Sequence, residues 1–191
     1  MSQGDERNVY LIGQPGVGKT TIGRAAAERL GWAFFDMDDE VERFFGKNLD
    51  ALRSEFLTYH SFRDAKVEGL LSFARKVRRA VIAISADCVR VRRGWKLMHE
   101  SGVVVHLFAD PVEVHERCPV YLGGRELSAA EKKRRHKSLL RQCISLFKYH
   151  RPFYERADHT LDITGLDIEH AAQRLNELVS RVACAPPSIT A

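Results

Sequence analysis

Apolar residues fall along the chain in short clusters separated by longer amphipathic stretches, and the spacing predicts strands alternating with helices. Val9-Tyr10-Leu11-Ile12 is the first cluster, too short for a helix and uninterrupted enough for a buried strand. Trp32-Ala33-Phe34-Phe35, ending at Asp36, is the second. Ala80-Val81-Ile82-Ala83-Ile84 and Val103 to Phe108 follow, and His159-Thr160-Leu161-Asp162-Ile163 is the last. Between them, Thr21 to Leu30 is rich in Ala, Arg and Glu and reads as a helix. Asp38 to Phe45 reads as a helix stopped by Gly46, and Leu49 to about Val77 as a helical stretch with a break near Thr58. Further helices are predicted over Arg90 to Glu100, from Asp110-Pro111 with proline in the first turn, over Ser128 to His150, and over Asp167 to Val182.

Apolar strands separated by helices argue for an α/β fold whose parallel sheet is covered on both faces. Ligands of such sheets bind beyond the carboxyl ends of the strands. That rule puts Asp36, the residues after Ile84 and the segment after Phe108 on one rim. The regularity breaks at Cys118 to Arg125, which reads as a loop with Gly123 and Gly124 as hinges. Neither repeats nor a linker interrupt the chain, so residues 1–191 are expected to form one domain, with a lid over about 117–135 and a frayed tail over about 184–191.

The 191 residues suffice for one core, and a 45% hydrophobic, 29% charged composition is that of a globular protein. No apolar run approaches a membrane span, and the polar start Met1 to Arg7 lacks a signal-peptide stretch. The cysteines Cys88, Cys118, Cys143 and Cys184 are scattered without a C-x-x-C pair, so they read as free thiols of a cytoplasmic protein. A formal charge of +5 suits an anionic ligand. The basic run Lys132 to Lys137 reads as a solvated helix face before it reads as a nucleic-acid site.

Chemistry enters at Gly13-Gln14-Pro15-Gly16-Val17-Gly18-Lys19-Thr20, which matches the phosphate-binding P-loop pattern G-x-x-x-x-G-K-[ST]. The context is right, because a strand precedes it and a helix beginning near Thr21 follows. Gly13, Gly16 and Gly18 let the backbone curl, so that N–H groups, including that of Val17, converge on phosphate oxygens beside a positive helix end. Lys19 would reach the β- and γ-phosphates of ATP, and the Thr20 hydroxyl would sit on Mg²⁺. The alternative is a glycine-rich turn before an ordinary helix. Downstream, Asp36-Met37-Asp38-Asp39 leaves the second strand on the ligand side. Its carboxylates either serve the metal shell and the attacking hydroxyl, or Asp38 and Asp39 cap the next helix.

Gly13 to Thr20, Asp36-Met37-Asp38, Phe62-Arg63 and Arg151-Pro152-Phe153-Tyr154, in this order, resemble shikimate kinase from about Val9 to Val182. The resemblance implies a three-layer P-loop kinase fold with a five-stranded parallel sheet and a mobile lid. It implies transfer of the ATP γ-phosphoryl group to a hydroxyl of shikimate or a similar carboxylated polyol, within aromatic amino acid biosynthesis. By position, Asp38 resembles the aspartate that binds the acceptor hydroxyls, and Asp36 the one near the magnesium waters. Arg63 and Arg151 resemble the arginines that grip the acceptor carboxylate, Arg125 the lid arginine, and Arg117 the arginine beside the adenine. A guanidinium fork matches a carboxylate bidentately, which agrees with that assignment. Monomer and dimer are both compatible with the resemblance.

The chain departs from the family pattern on the acceptor side. Ser85-Ala86-Asp87 stands where three glycines are usual, and Lys66 where an acid is usual. The lid reads Arg125-Glu126-Leu127 where R-P-L is expected. Asp87 is in addition a candidate for the magnesium shell. These departures leave two alternatives open: a kinase of this fold for another acceptor, and a non-catalytic nucleotide-binding module.

Overall fold

All five residues of β1, Asn8–Ile12, are buried. They stand at the centre of a parallel sheet ordered β2-β3-β1-β4-β7. Its other strands are β2 (Ala33–Asp36), β3 (Ala80–Ala83), β4 (Gly102–Phe108) and β7 (His159–Asp162). β1 pairs with β3 through Val9↔Val81 and with β4 through Val9↔Val103. A computed structural model describes residues 7–118, 120–122 and 125–183, with the side chains of Tyr121, Leu122, Arg125 and Ala183 outside the description. The hinge glycines Gly123 and Gly124 and the tail 184–191 lie outside the described residues.

The period of two in β1 divides the core into two layers. Tyr10 and Ile12 join Ile82, Ile84 and Val104 on one face, against Val41, Leu70, Trp95 and Tyr154 from helices. Those residues come from α2 (Met37–Phe45), α4 (Tyr59–Ala74), α5 (Arg92–Ser101) and α7 (Ala129–Tyr154). Val9 and Leu11 join Val81, Val103, Val105 and Leu107 on the other face, against Ile22, Ala26, Ala172 and Leu175. That layer is covered by α1 (Lys19–Leu30) and α8 (Ile168–Ala183). The architecture is the expected three-layer α/β kinase fold.

Asn8 ties the sheet to its surroundings. Its Oδ1 accepts from the Ala80 N–H at 3.2 Å and its Nδ2 donates to the Val77 carbonyl at 3.0 Å. These bonds fix the entry of β3 beside β1.

Several boundaries differ from the sequence reading. The stretch from Leu49 splits at the expected place into α3 (Leu49–Ser54) and α4, because Thr58 accepts from the Ser61 N–H and starts a new helix, but α4 ends at Ala74 rather than near Val77. The expected Asp38 or Asp39 cap is instead Asp36, whose side chain accepts from the Asp38 N–H. α7 runs past His150 to Tyr154 and carries Pro152 inside it. Near a C-terminus the ring displaces one backbone bond without breaking a long run. Its start is set by a capping box between Ser128 and Glu131. The segment expected as a loop contains an antiparallel pair, β5 (Tyr121–Leu122) and β6 (Arg125–Glu126), after α6 (Pro111–Arg117). No helix among the described residues is long and apolar enough to cross a membrane. Cys88, Cys118 and Cys143 are free thiols.

Candidate active site

The loop between β1 and α1 is shaped by its glycines, with Gly13 at φ 148°, Gly16 at 79° and Gly18 at 107°. A Cβ on Gly13 would meet the Leu107 carbonyl oxygen of β4 at 2.5 Å, so the loop can sit this close to the sheet only as glycine. α1 begins with neither a side-chain cap nor an acid in its first turn. By contrast α2, α3, α4, α6 and α7 are each capped by a side chain. The first amides of α1 and its positive end therefore remain available to an anion.

Lys19 folds back over this loop, donating to the carbonyls of Gly13 at 2.9 Å and Gln14 at 3.2 Å. Burial pulls its ammonium down to about 8, an effect that Asp36 and Asp38 only partly offset. Thr20 donates to Asp36 Oδ2 at 2.7 Å. Asp36 Oδ1 meanwhile takes the Asp38 N–H, so the end of β2 binds both the phosphate loop and the start of α2.

Two clefts meet at this point. One, of about 390 Å³, is lined by Gly16 to Ile22, Arg117, Cys118 and Leu166 to Ile168. It contains the expected nucleotide residues Val17, Gly18, Thr21 and Arg117. Arg117 donates to the Val17 carbonyl at 3.2 Å and pairs with Glu113 at 2.9 Å. The other, of about 440 Å³, is lined by Thr20, Asp36, Asp38, Tyr59, Lys66, Ser85, Ala86, Asp87, Leu146 and His150, among others. Gly16, Lys19 and Thr20 belong to both walls. Each cleft is large enough for a small ligand.

The second cleft gathers charge around Asp87. Lys66, only 4% exposed, stands between Asp38 at 2.7 Å and Asp87 at 3.7 Å. Burial opposes its charge, but the carboxylates outweigh burial and raise the ammonium above the ordinary lysine range. Burial and a hydrogen bond to Asp87 raise the Tyr59 hydroxyl, which keeps it a donor. Burial, then the Asp87 charge, does the same for Tyr154. His106, stacked on Tyr154 at 4.9 Å, is pushed down to about 4 by burial and then by Lys19. It is a neutral core residue. Arg63 Nε, Arg90 Nε, His150 Nδ1 and Tyr154 Oη are buried without a hydrogen-bond partner, whereas the buried Asp38 Oδ1 meets the Lys66 ammonium.

Not every expected residue reaches this wall. Arg63 faces His60, with 3.1 Å between Nη2 and Nδ1. Arg151 pairs with Glu155 at 2.7 Å on the outer side of α7. Neither lines the acceptor cleft. The backbone of Arg125 lies in β6, while its side chain is outside the described residues. The basic run 132–137 lies along α7, exposed from Lys133 onward.

Sequence reasoning missed Tyr59, Leu146 and His150. The first would have followed from seeing Thr58 as a cap. The others lie four residues apart within the helix predicted up to His150, so they share one side of it, but nothing in the sequence says that this side faces the cleft.

A family model for shikimate kinase matches residues 15–181. A shikimate kinase of Thermodesulfovibrio yellowstonii is 29% identical over 177 residues, covering 93% of this chain and 97% of that one. One of Gloeobacter violaceus is 33% identical over 176 residues, covering 92% and 94%. The crystal structure of the Bacteroides thetaiotaomicron shikimate kinase superposes with a TM-score of 0.76 at 25% identity, covering 91% of this chain and 98% of that one. With a phosphate loop, a carboxylate pair behind it and this likeness along nearly its whole length, the chain belongs to the shikimate kinase family.

Proposed function

We propose that this protein transfers the γ-phosphoryl group of ATP to a hydroxyl of shikimate. The observation that carries the reading is the shared wall: Gly16, Lys19 and Thr20 line both clefts, so a nucleotide in one presents its terminal phosphate to a hydroxyl in the other. In the transfer, the acceptor oxygen forms a bond to phosphorus as the bond to the ADP oxygen breaks, and the hydroxyl proton leaves. Asp38, beside the phosphate loop, orients that hydroxyl and is positioned to receive its proton. Lys19 exchanges its two loop carbonyls for phosphate oxygens, where its charge opposes the charge spreading in the transition state.

Thr20 and Asp36 place two hard oxygen ligands together at the loop, which suits Mg²⁺, an ion that keeps most of its waters. Held there, the ion would neutralise phosphate charge. The acceptor carboxylate falls to Arg63 and Arg151. Arg151 reaches it by leaving Glu155, and Arg63 by leaving His60. Arg117 flanks the base, and Arg125 closes the lid. Ser85 and Ala86 border the acceptor ring with side chains where glycine would offer only backbone.

Release of ADP, followed by a coupled assay with shikimate and a panel of other polyol acids, tests the reading. Turnover is expected with shikimate, and Lys19→Ala is expected to lower kcat by about 10²-fold or more. Binding of ATP without turnover of shikimate would overturn it.

A further inference from the structure

Lys66 is a buried cation set between two carboxylates of the acceptor cleft, on a reading of that cleft carried over from the proposed function. Its side chain is 5% exposed, against 41% for Asp38 and 23% for Asp87. The Phe62 ring lies 5.8 Å from its Nζ. The three groups come from three elements: Asp38 from α2, Lys66 from α4, and Asp87 from the segment after β3 that leads into the 3₁₀ turn Cys88–Arg90. The packing of α2 on α4 therefore fixes where the Lys66 charge sits, while the more exposed Asp38 carboxylate is held only by what it meets.

The short contact is charge on charge. Lys66 Nζ donates to the buried Asp38 Oδ1 at 2.7 Å, and because the Asp38 side chain as a whole is 41% exposed, its other carboxylate oxygen is left to meet an acceptor hydroxyl. Asp87 stands an ångström further away and draws on the same ammonium. A cation with one carboxylate neighbour would hold it tightly, whereas one shared between two holds each less. Removal of the lysine would leave two carboxylates facing each other across a small cleft with no cation between them, next to an incoming acid.

We infer that Lys66 is a positioning residue for Asp38, and that Asp87 is its counterweight. Lys66 keeps the Asp38 carboxylate turned into the cleft, and Asp87 keeps that grip loose enough for an acceptor hydroxyl to take over. The two residues work as one unit. Asp87 thereby occupies a place for which a side chain has a use only while a cation faces it.

The test is a double-mutant cycle on the full chain, with shikimate and ATP. Lys66→Met is expected to lower kcat by about tenfold or more with the KM for ATP unchanged, which a general loss of structure would not produce. Asp87→Asn is expected to change kcat/KM for shikimate in the unaltered background and to change it much less when Lys66 is already Met. Lys66→Gln gives the same comparison should the methionine variant not fold. A kcat within about twofold of the unaltered enzyme for the Lys66 variant, or equal effects of Asp87→Asn in both backgrounds, overturns the inference alone. Absence of shikimate turnover by the unaltered protein overturns the reading of the cleft, and this inference with it.

Discussion

Replacing Gly13 by alanine separates two costs that a glycine usually hides together. The backbone there has φ 148°, a conformation that L side chains rarely adopt. The added Cβ would also lie 2.5 Å from the Leu107 carbonyl oxygen and 3.1 Å from Val17. The first of these neighbours is backbone of the interior strand β4, near its carboxyl end, and cannot rotate away. Strain of about 1–3 kcal/mol and crowding of about 1–3 kcal/mol give a loss of about 2–6 kcal/mol. At roughly 2–4 °C per kcal/mol for a chain of this size, the melting temperature should fall by roughly 4–24 °C. Gly31 supplies the control. It has φ 64°, yet a Cβ there meets nothing within 4 Å. Gly31→Ala should cost only about 1–2 kcal/mol of conformational strain. Scanning calorimetry with and without ADP completes the test. Ligand at about 100 times its Kd adds about 2.7 kcal/mol to the unaltered protein, a gain that should survive in Gly31→Ala and shrink in Gly13→Ala. Melting temperatures of the two variants within about 2 °C of each other would refute the assignment of the cost to Leu107.

Two further outcomes concern the core. His106 is held down to about 4 in the folded protein, below an ordinary value of 6.5. Between those limits the unfolded chain binds the proton and the folded one does not, so stability falls as pH falls. From pH 6.5 to 5 the loss is about 2 kcal/mol, and His106→Gln should lose correspondingly less in denaturant titrations at the two pH values. Asn8→Ala strands the buried Ala80 N–H, while the Val77 carbonyl keeps its bond from Arg78. Chemical denaturation should show a loss of about 1–3 kcal/mol, with nucleotide affinity little changed in what remains folded.

The sheet was legible in the sequence because its strands are short and apolar, and few other structures bury such runs. The phosphate loop was legible because its function depends on residue spacing along the chain, and Gly13 to Thr20 carry that spacing themselves. The acceptor cleft was less so. Lys66 and Asp87 stand out in the sequence as departures, but the contacts of Lys66 with both Asp38 and Asp87 arise from the packing of α4 against α2 and against the segment after β3, which no local pattern records. Arg151 shows the reverse. Its motif is plain in the sequence, yet α7 continues through it and pairs the guanidinium with Glu155 one turn on. The Asp36 cap was hidden because Asp36, Asp38 and Asp39 are chemically alike, and only the strand end decides which of them stands before the helix.

The central place of β1 has a consequence for how the chain is born. β1 leaves the ribosome before the other described strands, but its neighbours β3 and β4 end at Ala83 and Phe108. Its apolar residues must therefore wait for Ala83 before one edge can be paired and for Phe108 before both can. The phosphate loop waits with it, since the carbonyl against which Gly13 packs belongs to Leu107. The strand at the centre of the sheet is thus made before either of the partners that bury it. During that interval the nascent strand is an open edge, the stage at which chaperones would be most needed.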